Sequence, residues 1–135
     1  MLIFLDTNVV LDFFLARQPF FVEAKEIFDH IANNKFQAYV SPITVVNLFY
    51  TIRKEKGKLI AFQAVTDLLR IIEIAKTDKN VLEKSLLSNF SDYEDAVQNE
   101  SAVAENLDAI VTRNTKDFTN SSLKIYTPNE FLQII

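Results

Sequence analysis

Leu2-Ile3-Phe4-Leu5-Asp6 decides how this chain is read: four apolar residues in an unbroken run are stopped by an acid. A strand exposed on one face alternates apolar and polar residues, so an uninterrupted run fits a strand buried on both faces, as in a parallel sheet. Downstream the period changes. Within Phe20 to Asn34, the residues Ala24, Ile27, Phe28, Ile31 and Ala32 recur at three and four positions, the spacing of an amphipathic helix. Gln37 to Val40 follows as a short strand. Pro42 suits the first turn of the next helix, which Val45, Val46, Phe49 and Ile52 continue until it frays into Arg53-Lys54-Glu55-Lys56-Gly57-Lys58. The pattern then predicts helices over Leu59 to Leu69, Val81 to Leu87, Tyr93 to Leu107 and Pro128 to Ile135. It predicts strands over Ile71 to Ala75, Ala109 to Thr112 and Leu123 to Tyr126, and a first helix beginning near Val9. Strands alternating with helices, with no hairpin signal such as Asn-Gly between neighbours, predict an α/β fold. Its expected form is a three-layer α/β/α sandwich around a central parallel sheet.

The 135 residues suit one domain spanning 1–135, and a single Gly and three Pro leave no linker to divide it. Hydrophobic residues make up 49% and charged residues 24%, a composition that folds rather than stays disordered. No apolar run reaches the roughly 18 residues of a membrane span, and Asp6 interrupts the N-terminal stretch before it forms a signal-peptide core. A cytoplasmic location without a membrane partner is expected. The absence of Cys excludes a disulfide framework, a thiolate zinc site and a cysteine nucleophile, and a single His leaves little scope for imidazole ligation. Hydrolytic chemistry must then rest on carboxylates. Fourteen basic against 18 acidic residues give 14 − 18 = −4, so no global positive field marks a sequence-reading DNA module.

In an open parallel sheet, ligands bind beyond the carboxyl ends of the strands, at the topological switch point. The candidates at those ends are Asp6, the pair Asp92 and Asp95 opening a later helix, and Asn114 with Asp117 after the strand ending at Thr112. Each also has a plain structural role open to it. Asp6 fits a helix cap, with Asn8 as the alternative cap. Ser91 and Glu94 have the spacing of a capping box, which accounts for Glu94 and leaves it outside the site. Asp92 and Asp95 share a first helical turn, where the macrodipole favours carboxylates, and Asp117 fits a turn. Taken together, acids after several strands in a chain without catalytic His or Cys suggest an oxygen-lined pocket for Mg²⁺ or Mn²⁺. His30 shares a helical face with Glu23, Glu26 and Asn33, a solvated position rather than that of a general base. Phe13, Phe14, Phe28 and Phe49 sit in apolar patterns and read as core rather than RNA-stacking residues. The cluster Arg53, Lys54, Lys56 and Lys58 reads as a solvated helix end, with flanking of a phosphate path as its second reading.

Over nearly its whole length the chain resembles the PIN domain, in particular the VapC-type toxins of bacterial toxin–antitoxin pairs. Leu5-Asp6-Thr7-Asn8-Val9-Val10-Leu11-Asp12 is similar to the family's first motif, Asp95-Ala96 to its third acidic motif, and Val111-Thr112-Arg113-Asn114-Thr115-Lys116-Asp117-Phe118 to its last. The resemblance implies a metal-dependent endoribonuclease that cuts single-stranded segments of structured RNA. It gives Asp6, Asp95 and Asp117 as catalytic residues holding one or two Mg²⁺ or Mn²⁺ ions; Asp92, outside the quoted motifs but in the same helical turn as Asp95, is a further candidate ligand. Around them it implies supporting roles for Asn8, Asn47, Gln98, Thr112 and Asn114. It also implies a homodimer and inhibition by a cognate antitoxin whose tail enters the site. Two positions depart from the family pattern: Asn47 stands where many members carry Glu, and Asn114 where the last motif begins with an acid. An amide lends a carbonyl oxygen to a metal but no charge, which motivates the alternative of a catalytically weakened RNA- or protein-binding domain. A haloacid-dehalogenase-type phosphatase needs an Asp where Asn8 stands, and a receiver domain needs an acid cluster beside Asp6 and a Lys after Tyr126. Both are disfavoured.

Overall fold

The computed structural model describes residues 1–135. The chain runs β1 (Leu2–Leu5), α1 (Thr7–Phe14), α2 (Phe21–Ala32), β2 (Gln37–Val40), α3 (Pro42–Lys56), α4 (Lys58–Ile71) and β3 (Glu73–Ile74). It continues through α5 (Lys79–Leu86), α6 (Tyr93–Ala104), β4 (Ala109–Val111), a 3-10 turn (Thr115–Phe118), β5 (Lys124–Tyr126) and α7 (Pro128–Ile134). All five strands are parallel, in the order β3-β2-β1-β4-β5. The expected three-layer α/β/α sandwich with a central parallel sheet is what forms.

Alternation along the central strands distributes the core. Ile3 and Leu5, with Ala38, Val40, Ala109 and Val111, face a large cluster built from α1, α2, α3, α4 and α7. Phe4 and Ile110 point the other way, against Ala102 of α6, Leu107 and Phe118. Both faces of β1 are therefore dry, as its unbroken apolar run requires, and each fully buried side chain of this size stabilises by roughly 1.5–3 kcal/mol. No helix is long and apolar enough to cross a membrane.

Several boundaries differ from the pattern's expectation. The first helix opens at Thr7 rather than near Val9, because the Asp6 carboxylate caps it by accepting from the Thr7 N–H; Asn8 is not the cap. The second helix is shorter at both ends than Phe20 to Asn34, with Phe20 and Asn33 flanking it as caps. Helix α4 runs through Ile71, so the strand expected over Ile71 to Ala75 shrinks to Glu73–Ile74 at the sheet edge. The α6 helix stops at Ala104 because Asn106 takes a left-handed φ of 56° and Leu107 folds back to donate to the Ala102 carbonyl. Between α3 and α4, Gly57 adopts φ +92°, a conformation that L side chains resist.

This order puts β1 at the centre. From β1 the chain steps outward through β2 and β3 on one side, then returns to lay β4 and β5 on the other. The switch point lies between the carboxyl ends of β1 and β4, where Asp6 and Thr112 emerge.

Candidate active site

Asp6 leaves the end of β1 and is 5% exposed. Three donors clamp its carboxylate. The Thr7 N–H donates to Oδ1 at 2.7 Å, while the Thr112 hydroxyl and the Asn8 Nδ2 donate to Oδ2 at 2.7 and 3.1 Å. The Gln98 amide, on α6, also favours its ionised form. Burial nonetheless wins, helped by the negative charge of Asp117, and raises the Asp6 pKa above the usual carboxylate value. Thr112 is itself held in place, since its Oγ1 accepts from the Asn114 N–H at 3.0 Å. The Thr7 hydroxyl pairs with that of Thr44 at 2.7 Å, tying α3 to the same corner.

The second group of acids comes from the start of α6. Asp92 caps this helix, accepting from the Asp95 N–H at 3.0 Å, so the Ser91/Glu94 capping box does not form. Glu94 is thereby released from the structural role expected of it, and it joins the acids. Its pKa is raised by burial and then by the charges of Asp92 and Asp6. The strongest response is at Asp95, which burial, Asp6, Asp92, Asp117 and Glu94 together push up to about 7. Carboxylates from β1, α6 and the 3-10 turn thus share one electrostatic field, although 111 residues separate Asp6 from Asp117 in sequence.

Sharing a field is less than sharing a coordination sphere. No three carboxylates stand close enough to form a ready-made ligand cage. The donor set still fits a hard divalent ion. It is all oxygen, its mutual repulsion would be relieved by positive charge, and Mg²⁺ is commonly held by one or two carboxylates while keeping several waters. The Gln98 Oε1, on a side chain 1% exposed, has no hydrogen-bond partner, and a hydrated cation beside Asp6 would offer it a donor. Asn47 is half-buried on α3, one turn beyond Thr44, and makes no hydrogen bond to the acids. Asp117 and Asn114 are exposed at the rim.

One pair escapes a reading by strand ends. Asp12, 1% exposed on α1, accepts from Arg113 Nε at 2.6 Å and from Nη2 at 3.3 Å, and the guanidinium lies 3.9 Å from the centre of the Phe20 ring. The signal was an acid set inside the apolar run Val9-Val10-Leu11-Asp12-Phe13-Phe14, which demands a partner when buried. His30 and the cluster Arg53, Lys54, Lys56 and Lys58 stay away from the core; the basic residues are all exposed, and three of them lie in the last turn of α3.

An all-parallel α/β/α sandwich with an acidic centre at its switch point, lacking imidazole and thiol, is the class of protein these observations define. Within that class the chain belongs to the PIN domain family, whose model matches residues 2–116. It is 26% identical over 136 residues to Ribonuclease VapC1 of Aquifex aeolicus (strain VF5), covering 97% of this chain and 93% of that protein. The structure of VapBC2 from Rickettsia felis bound to a DNA fragment from their promoter shares the fold with a TM-score of 0.74 at 20% identity, covering 94% of this chain and 98% of that one. A toxin-antitoxin complex from Klebsiella pneumoniae does so with a TM-score of 0.70 at 24% identity, covering 93% and 96%.

Proposed function

We propose that this protein is a metal-dependent endoribonuclease that cuts phosphodiester bonds in single-stranded segments of structured RNA and acts as a toxin restrained by an antitoxin. The observation that carries this reading is the field shared by Asp6, Asp95 and Asp117 at the switch point of a PIN domain. The similarity to a protein named a ribonuclease, and the shared fold with a toxin-antitoxin complex, support it. Asp6, Asp95 and Asp117 would hold Mg²⁺ or Mn²⁺, with Asp92 as a further ligand. Such an ion supplies positive charge for the phosphate oxygens and a more acidic water as nucleophile. Thr112, Asn8 and the Thr7 N–H fix the Asp6 carboxylate so that it needs no reorganisation. Gln98 supports it from α6, Asn114 steadies Thr112, and Asn47 would contribute its amide from α3, one turn beyond the Thr44 that pairs with Thr7. A single-stranded segment suits a site at the open carboxyl ends of the strands, because in-line attack requires a backbone free to turn its scissile bond toward the acids. The protein would work in the cytoplasm as a homodimer, joined through the apolar faces of α3 and α4.

A second reading, a PIN-fold RNA- or protein-binding domain with weakened catalysis, is favoured by the missing three-acid cage and by Asn47. One titration separates the two. Cleavage of a structured RNA is followed against added Mn²⁺ for the wild type and for Asp6→Asn and Asp95→Asn. Metal-dependent scission lost in both variants is expected, and a wild type that cuts nothing at any metal concentration favours the binding domain.

A further inference from the structure

At the same carboxyl ends of the strands, on the side of α2 and α7, lies a second concavity of about 360 Å³, lined by Phe20, Glu23, Arg113, Asn114, Thr127 and Asn129 among others. Arg113 directly follows Thr112, the residue that clamps Asp6, so one peptide bond joins the pocket to the site. Its guanidinium is fixed before any ligand arrives. The Nε–H and one N–H of Nη2 are committed to Asp12, and one face lies on the Phe20 ring. That geometry leaves the donors of Nη1 unused and the plane of the group immobile.

Charge selects the occupant. Arg113 is already matched by Asp12, and Glu23 adds a further negative charge, so the three together carry −1 and disfavour a phosphate. A neutral, flat heteroaromatic ring fits better. It can stack on a fixed guanidinium or on Phe20, and the volume admits one such ring. Its edges meet an acceptor in Glu23 and donors in Arg113, Asn114 and Asn129. Guanine alone among the bases sets two neighbouring donors, N1–H and N2–H₂, for a carboxylate, and its O6 and N7 accept from an arginine.

We propose that this pocket seats one base of the RNA strand next to the phosphodiester at the acids, and that it prefers guanine. The inference rests on the ribonuclease reading, since it names the part of the substrate held at the same strand ends.

The test is an NMR titration of the ¹⁵N-labelled full chain, without divalent metal, against GMP, AMP, CMP, UMP and ribose 5-phosphate. The Arg113 Nε–H and the backbone amides of residues 113–114 and 129 should move with GMP at the lowest concentration and stay in place with ribose 5-phosphate. Glu23→Gln should weaken GMP about tenfold, the range of one bidentate base contact, and leave AMP unchanged. Equal shifts from ribose 5-phosphate make the pocket a phosphate site and overturn the proposal, as does the absence of any shift. Cleavage without GMP binding sinks the pocket and spares the ribonuclease reading. GMP binding by a chain that cuts no RNA does the reverse.

Discussion

At the scale of single residues, Asp12 and Arg113 show what a buried charge demands. Asp12 is the buried partner and the Arg113 side chain is 25% exposed, so Arg113→Met, which strands the buried carboxylate, should destabilise the fold by about 3 kcal/mol, and Asp12→Leu, which leaves a guanidinium able to reach water, by less. The double replacement Asp12→Leu with Arg113→Met should cost less than Arg113→Met alone, because no buried charge is then left without a partner. Thermal unfolding of the four chains of this cycle checks both statements, and a loss in the double variant equal to the sum of the two single losses would mean that the pair is not coupled. Asn47 supports a prediction of the opposite kind. Asn47 shares α3 with Thr44, whose hydroxyl pairs with that of Thr7 beside Asp6, so a carboxylate at position 47 adds negative charge at that corner and Asn47→Glu should tighten Mn²⁺ binding on the order of tenfold by calorimetry. An unchanged isotherm would show that position 47 does not face the metal. These residues also mark how far the sequence could be read. Asp6, Asp92, Asp95 and Asp117 were legible because they stand at strand ends or helix starts. The Asp12–Arg113 pair spans 101 residues, and its partners meet only because β4 lies beside β1. The capping box expected of Ser91 and Glu94 did not form because Asp92, one residue on and at the same spacing from the Asp95 N–H, took the cap.

At the scale of elements, periodicity carried the large helices and the central strands, because each buries a continuous apolar face. It carried little where an element is short. The four residues Thr115–Phe118 hold no period, and their turn is anchored by the burial of Phe118 and by the Asp117 N–H donating to the Asn114 carbonyl. The two residues of β3 are exposed and follow directly from a helix whose apolar spacing runs on through Ile71. Helix α6 has a further consequence, since its first turn gathers Asp92, Glu94 and Asp95 against Asp6. With Asp95 near pH 7 in the folded chain and near its ordinary value when unfolded, the folded state binds more protons between about pH 4 and 7. Stability is therefore full below that window and falls as pH rises through it. Asp6 and Glu94 push the same way, whereas Asp78, held low by the Val81 N–H, is ionised in both states above about pH 5. Because Asp95 is partly exposed, solvent screening reduces the difference between about pH 5 and pH 8 to about 1 kcal/mol. Scanning calorimetry should give a Tm a few degrees higher at the lower pH, with Mn²⁺ raising Tm only at the higher one. A Tm that rises with pH across this window would refute the account of the acid cluster.

At the scale of the whole molecule, the fold separates a reactive edge from an apolar flank. The sheet's carboxyl ends carry the acids, while α3 and α4 pack on each other and still leave Val46, Tyr50, Leu59, Ile60, Phe62 and Leu69 open to solvent. Leu59 is 82% exposed and Phe62 53%, values that waste apolar surface unless another molecule covers it. The sequence hinted at this in the span Val45 to Leu69, where apolar residues outnumber those one helix face can bury. A second copy is the occupant a homodimer requires, and a two-fold axis would bring the same patch against itself. Light scattering should then give twice the chain mass at micromolar concentration. Leu59→Glu combined with Phe62→Glu should shift the mass to that of one chain, with an unchanged circular dichroism spectrum, because exposed side chains contribute little to the monomer's own stability. A wild type whose mass is that of one chain at every concentration would remove the homodimer.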